Sequence, residues 1–136
     1  MSESGLLNEN EDIQFISKSH LLVAMNHVKL GFFEMDTQTG EIRCTARCKQ
    51  NFGICPDASF SYAQLLSQIL PEDLEAMQDE VDLALSGEKS SFQAIYRINR
   101  TDGEIRWIKA DGAVERDGNV IISFVGSTQD ITDLRS

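Results

Sequence analysis

FQAIYRINRTDGEIRWIKADGAVERDGNVIISFVGS, residues 92–127, decides the fold. Phe92, Ala94, Tyr96 and Ile98 alternate with Gln93, Arg97 and Asn99, the period-two pattern of a strand with one buried face. Two Asp-Gly pairs, Asp102-Gly103 and Asp117-Gly118, punctuate the run, and such pairs supply the positive φ of a tight hairpin. In the middle strand Ile105 and Trp107 fall on one face, Arg106 and Ile108 on the other. Three long strands joined by two tight turns form an antiparallel meander, whose apolar face needs a covering layer.

That layer lies upstream. In PEDLEAMQDEVDLALSG, residues 71–87, Pro71 suits the first turn of a helix. Glu72, Asp73 and Glu75 complement the positive end of its dipole. Leu74, Met77, Val81, Ala84 and Leu85 form its apolar stripe, and Gly87 stands where a helix stops. Before it, Ser61 caps a short helix, YAQLLSQIL. Residues 46–60 read as irregular, punctuated by Gly53 and Pro56. FFEMD and EIRCTA, joined by TQTG, read as a hairpin with Phe33 and Met35 on one face.

At the N-terminus, residues 1–9 are polar and acidic and are expected to be disordered. Residues 10–28 read as a helix, with Ile13, Ile16, Leu21, Ala24 and Val28 at helical spacing and Phe15, Leu22, Val23 and Met25 widening the apolar surface. A surface wider than one packing face needs a second partner. A homodimer interface is therefore expected over Ile13, Ile16, Leu21, Leu22 and Met25. The expected whole is an α+β domain, one five-stranded antiparallel sheet with helices on one face and an amphipathic helix before it.

The chain has 136 residues and a net charge of −10. That length suits one domain. The negative balance disfavours nucleic acid and anionic lipid as partners. No signal peptide pattern opens the chain and no apolar run approaches the ~20 residues of a membrane helix, so a cytoplasmic location is expected. Cys44, Cys48 and Cys55 match no common zinc spacing and read as buried or idle thiols.

Four stretches in register resemble a PAS domain, of the subtype found in bacterial sensor kinases and cyclic-dinucleotide enzymes. They are LGFFEMDTQTGEI, LPEDLEAMQDEVDLALSGE, YRINRTDGEIRW and VGSTQDIT. The resemblance runs from about residue 28 to 133, and the domain is placed at 29–133. It departs from the family at Leu70, where histidine is common. In the family, Asp-Ile-Thr marks the exit from the last strand into a linker. The resemblance thus assigns Gly126, Asp130, Ile131 and Thr132 to the signal exit and residues 134–136 to the start of a linker. It implies an effector outside this chain, such as a histidine kinase or diguanylate cyclase. On its own residues, Asp130 reads as an exposed cap with Asp133 in the following turn.

A PAS fold does not fix a ligand. The long helix has no histidine to ligate haem, and His20 and His27 lie on the N-terminal helix. Cys48 lacks the flanking asparagine and arginine of the flavin photoreceptors. Haem and covalent flavin chemistry are disfavoured, and the cofactor is left unknown. What remains is a space between sheet and long helix, with Phe33, Met77, Val81, Leu85, Phe92, Ala94, Tyr96, Ile122 and Phe124 as candidate lining. Tyr96 is its one expected polar handle. These groups line a pocket for a small ligand or fill a packed core. The function expected is a sensory input module that binds a small ligand or relays a signal through dimerisation. A ligand-free interaction module is the alternative. A small cavity enzyme is the contrary reading, with Asp111 and Tyr96 its only available acid–base pair. Arg97 and Arg106 are either partners of Asp130 or solvated charges, and the carboxylates of residues 72–82 are expected to be solvated.

Overall fold

A computed structural model describes residues 17–134. Residues 1–9, the first part of the 10–28 helix with Ile13 and Ile16, and residues 135–136 of the expected linker lie outside them. The elements are α1 (Lys18–His27), β1 (Leu30–Asp36), β2 (Glu41–Cys44), α2 (Ala46–Asn51), β3 (Phe60–Ser61), α3 (Tyr62–Gln68), α4 (Pro71–Leu85), β4 (Ser91–Asn99), β5 (Ile105–Asp117) and β6 (Val120–Asp130), then a 3₁₀ turn (Thr132–Leu134).

The sheet has six strands in the order β3-β2-β1-β6-β5-β4, every pairing antiparallel. This corrects the expected five. The added strand is two residues long, Ile42 pairing with Phe60 and Glu41 with Ser61. Two residues carry no period, so alternation cannot reveal them. The stretch expected to be irregular also contains α2, whose cap is Thr45: its side chain accepts from the Cys48 N–H at 3.4 Å. Ser61 caps α3 in the same way, accepting from Gln64 N–H at 3.2 Å.

The turns follow their chemistry. Gly103 and Gly118 take φ of 91° and 66° between the meander strands, where a side chain would be strained. The first strand lies beside the last at the centre of the sheet, Phe33 facing Gly126 and Met35 facing Phe124. α2 packs on β1 and β6, and α4 on β4 and β5. The core under them includes Met35, Cys48, Phe52, Phe60, Met77, Val81, Phe92, Tyr96, Ile98, Ile108 and Phe124. Each fully buried side chain of this size stabilises the fold by about 1.5–3 kcal/mol.

Two glycines set the packing distances. A Cβ on Gly31 would run into the Cys48 backbone, so α2 sits directly on β1. A Cβ on Gly126 would run into the Asp111 carbonyl on β5. Both are close approaches that only glycine permits. No helix among the described residues is long and apolar enough to cross a membrane.

Candidate functional site

The inner face of the sheet and the inner sides of α2, α3 and α4 enclose a cavity of about 40 Å³. Its wall includes Phe33, Phe52, Met77, Val81, Phe92, Tyr96 and Phe124, with Thr128 and Cys48 at one end. The Phe92 ring meets those of Phe33 and Phe124 at 6.4 and 5.2 Å between centroids. The space holds roughly two or three waters without side-chain movement. Ligand clefts of roughly 300 Å³ or more are the norm for drug-sized molecules, so a larger guest requires α4 or the aromatic cluster to move.

Tyr96 is 2% exposed, and its hydroxyl has no hydrogen-bond partner among the described residues. Burial pushes its phenol well above the ordinary value.

Ala94 packs against the same core. Two sequence-selected residues do not reach the cavity. Leu85, at the end of α4, is 43% exposed, because it stands beside the buried stripe of Met77, Val81 and Ala84 and turns to solvent. Ile122 is 40% exposed and lies with Glu34, Arg43 and Glu115 on the outer face. The cause is a bulge: Ser123 pairs with Glu115 and Ile121 with Arg116, leaving Ile122 as the extra residue. One extra residue reverses the alternation on which its placement rested. Sequence reasoning missed Phe52 and Phe60, which lie in or beside elements too short to show a period, and Thr128, a polar residue on the buried face of β6. Asp111 lines a shallow outer groove with Phe32 and Val125, across the sheet from Tyr96, so the acid–base pair is not assembled.

The exit is clamped. Asp130 is 6% exposed at the end of β6, not an exposed cap. Its Oδ2 accepts from Arg106 Nε at 2.8 Å. Its Oδ1 accepts from Thr132 N–H at 3.0 Å and from the Thr132 hydroxyl at 2.7 Å. Burial alone would raise this carboxyl, but the bonds from Arg106 and Thr132 outweigh it and hold it below the ordinary range. Ile131 N–H donates to the Trp107 carbonyl at 2.9 Å, and Thr132 Oγ1 accepts from Trp107 N–H at 2.8 Å. Asp-Ile-Thr is thereby fixed to β5.

The entrance of the chain meets the same corner. Lys29 takes a left-handed φ of 59°. Its carbonyl accepts from Asp130 N–H at 3.3 Å and from Asn51 Nδ2 at 3.0 Å, and its ammonium pairs with Asp133 at 2.6 Å. Asn51 also donates to the Thr128 carbonyl at 3.3 Å. Thr128 Oγ1 in turn donates to Cys48 Sγ at 3.2 Å. A chain of polar contacts thus runs from the cavity wall to the exit.

Arg97 finds a different carboxylate. Its Nε and Nη2 donate to Asp73 at 2.8 and 2.9 Å, and its backbone N–H reaches the same carboxylate at 2.7 Å. The guanidinium also lies over Trp107, 5.3 Å from the ring centroid. Asp73 is therefore not among the solvated carboxylates of α4, and its pairing pins that helix to β4. On α1, Met25 is buried while Leu21 and Leu22 are each 45% exposed.

The sequence pattern of the PAS fold matches residues 41–128, and the chain belongs to that family. The blue-light-activated histidine kinase of Brucella ovis is 26% identical over 117 residues, covering 86% of this chain and 23% of that protein. Its counterpart in Brucella anthropi is 30% identical over 94 residues, covering 68% and 19%. The chain spans 19–23% of the length of these curated relatives. Among solved structures, the N-terminal domain of a diguanylate cyclase with PAS/PAC sensor from Marinobacter aquaeolei superposes with a TM-score of 0.70 at 21% identity, covering 79% of this chain and 99% of that one. A sensory box histidine kinase/response regulator from Burkholderia thailandensis gives 0.67 at 19%, covering 85% and 86%. At those identities the likeness is one of fold.

Proposed function

We propose that this chain is a signal-transduction input module. It takes a small, mostly apolar ligand into the cavity under α4 and hands the change to an effector through β6. The observation that carries this is the enclosed apolar cavity under α4, with buried Tyr96 in its wall. The relatives support an effector of the histidine kinase or diguanylate cyclase kind. The sensory unit spans 29–133 and leads into a linker at 134–136. Residues 10–28 mediate a homodimer. The module works in the cytoplasm, with no nucleic acid or membrane contact of its own.

Native mass spectrometry of the purified chain tests the ligand, which should appear as a small retained mass. A second test joins the chain to a kinase or cyclase output and fills the cavity with Ala110→Leu. Output should become fixed in one state while the fold persists. Unchanged regulation in the filled variant overturns ligand sensing. The small size of the cavity and the exposed Leu21 and Leu22 favour the second reading, a ligand-free dimerisation relay. That reading predicts regulation that survives cavity filling and is lost on monomerisation.

A further inference from the structure

Val28 closes α1 with φ −98°, and Lys29 then takes φ 59°. Lys29 is the one non-glycine residue with positive φ among the described residues. A helix end of this shape ordinarily takes glycine, because a side chain is strained there. Such strain persists only where surrounding contacts hold it. Here the last residues of the chain supply them. Gln129 Nε2 donates to the Val28 carbonyl at 3.0 Å. Asp130 N–H donates to the Lys29 carbonyl at 3.3 Å, and the Lys29 ammonium donates to Asp133 at 2.6 Å. Asn51 Nδ2, at the end of α2, shares the Lys29 carbonyl at 3.0 Å.

The helix before this turn is otherwise lightly attached. Every residue from Lys18 to Ala24 is exposed, and Met25 alone is buried. Arg47 Nε donates to Asn26 Oδ1 at 2.5 Å. α1 is thus fixed at its C-terminal end, by Met25, by Asn26 and by the turn at residues 28–29. A displacement of its exposed part bears on the turn, and through the turn on Asp130 and Asp133.

We propose that residues 28–29 are a latch with two positions, through which α1 passes its own orientation to the exit as an input separate from the cavity. In the held position Lys29 is left-handed and α1 is tied to the end of β6. In the released position Lys29 relaxes to the right-handed region. Its carbonyl leaves Asp130 and Asn51, its ammonium leaves Asp133, and α1 swings about Met25. The strain at Lys29 favours release and the contacts favour holding, so a modest bias on α1 shifts the balance. By linkage, a pull on the exit acts back on α1 to the same degree. The passage of this input to an effector rests on the input-module reading, but the latch itself does not.

The test compares Lys29→Asn with Lys29→Val in the full chain, by amide hydrogen exchange. Both variants lose the ammonium, but asparagine accepts a left-handed φ and a β-branched residue does not. The Asp130 amide, bonded to Lys29, reads the latch directly. In Lys29→Asn it should exchange within about fivefold of the wild type, the loss of one exposed ion pair. In Lys29→Val it should exchange at least about tenfold faster than in Lys29→Asn, together with the amides of α1. Tyr96 and Ala110, in the middle of β4 and β5, should keep their protection in both. Equal exchange at Asp130 in the two variants overturns the latch. Equal acceleration at Tyr96 and Ala110 also overturns it, since Lys29 then only supports the fold. A second measurement uses the chain joined to a kinase or cyclase output, with the cavity filled by Ala110→Leu. Adding Lys29→Val should shift that output by about fivefold or more. An unchanged output overturns the separate input and leaves the ligand reading standing. Regulation that survives Ala110→Leu alone removes the ligand reading and leaves the latch, read by exchange, in place.

Discussion

Arg106 and Asp130 form a buried ion pair, 2.8 Å from Nε to Oδ2, with side-chain exposures of 15% and 4%. It joins the middle strand of the meander to the point where the chain leaves the sheet.

Because Asp130 is buried and paired, its removal costs more than loss of an exposed cap. Asp130→Ala leaves Arg106 with Glu104 at 3.1 Å and a distant Asp133. The expected destabilisation is about 2–4 kcal/mol, measured by urea unfolding. A change under 1 kcal/mol would show that the pair is dispensable to the fold.

Acid should act through the same carboxylates. The folded-state values of Asp130 and Asp73 are both depressed, the latter chiefly by hydrogen bonds from Arg97. A depressed carboxylate contributes stability that is complete above its unfolded value, about 3.9, and is lost as pH falls through the folded one. Stability should therefore drop below about pH 4. Asp130→Asn and Asp73→Asn should each flatten that limb, and an unchanged acid limb in the double variant would contradict it.

Tyr96→Phe removes a hydroxyl that has no protein partner. Thermal stability should change by no more than about 1 kcal/mol, and in the stabilising direction if the cavity is dry. Retention of a polar ligand in native mass spectrometry should fall by about tenfold, the equivalent of one hydrogen bond. A loss of several kcal/mol in stability would mean that the hydroxyl is bonded within the fold.

Arg97→Lys keeps the charge but loses the two-pronged grip on Asp73 and the stack on Trp107. The expected cost is about 1–2 kcal/mol, with faster hydrogen exchange in α4. Equal protection of α4 in both proteins would remove Arg97 from its anchoring.

Leu21→Glu with Leu22→Glu tests self-association. Both side chains are largely exposed while Met25 is buried. Sedimentation should give a monomer with an unchanged melting temperature. A persisting dimer places the interface elsewhere.

The meander was legible because its strands are long and its turns carry Asp-Gly, and α4 because fifteen residues hold a full apolar stripe. The cavity lining was legible as far as alternation held. It failed at Ile122, where the bulge inserts a residue, and at Leu85, which lies to the side of the buried stripe that ends at Ala84. β3 and α2 are too short to display a period, so Phe52 and Phe60 went unseen. The Arg97–Asp73 pair depends on how distant segments fold back, which local pattern does not encode.

Leu30, at the start of the sheet, pairs with Gln129, one residue from its end. The domain therefore takes in and releases its backbone at a single doorway. A polypeptide can accommodate such a unit between two flanking segments without parting them. Flanks so placed share leverage, and a small rotation of one relative to the other is felt at Lys29 before it is felt anywhere in the far strands.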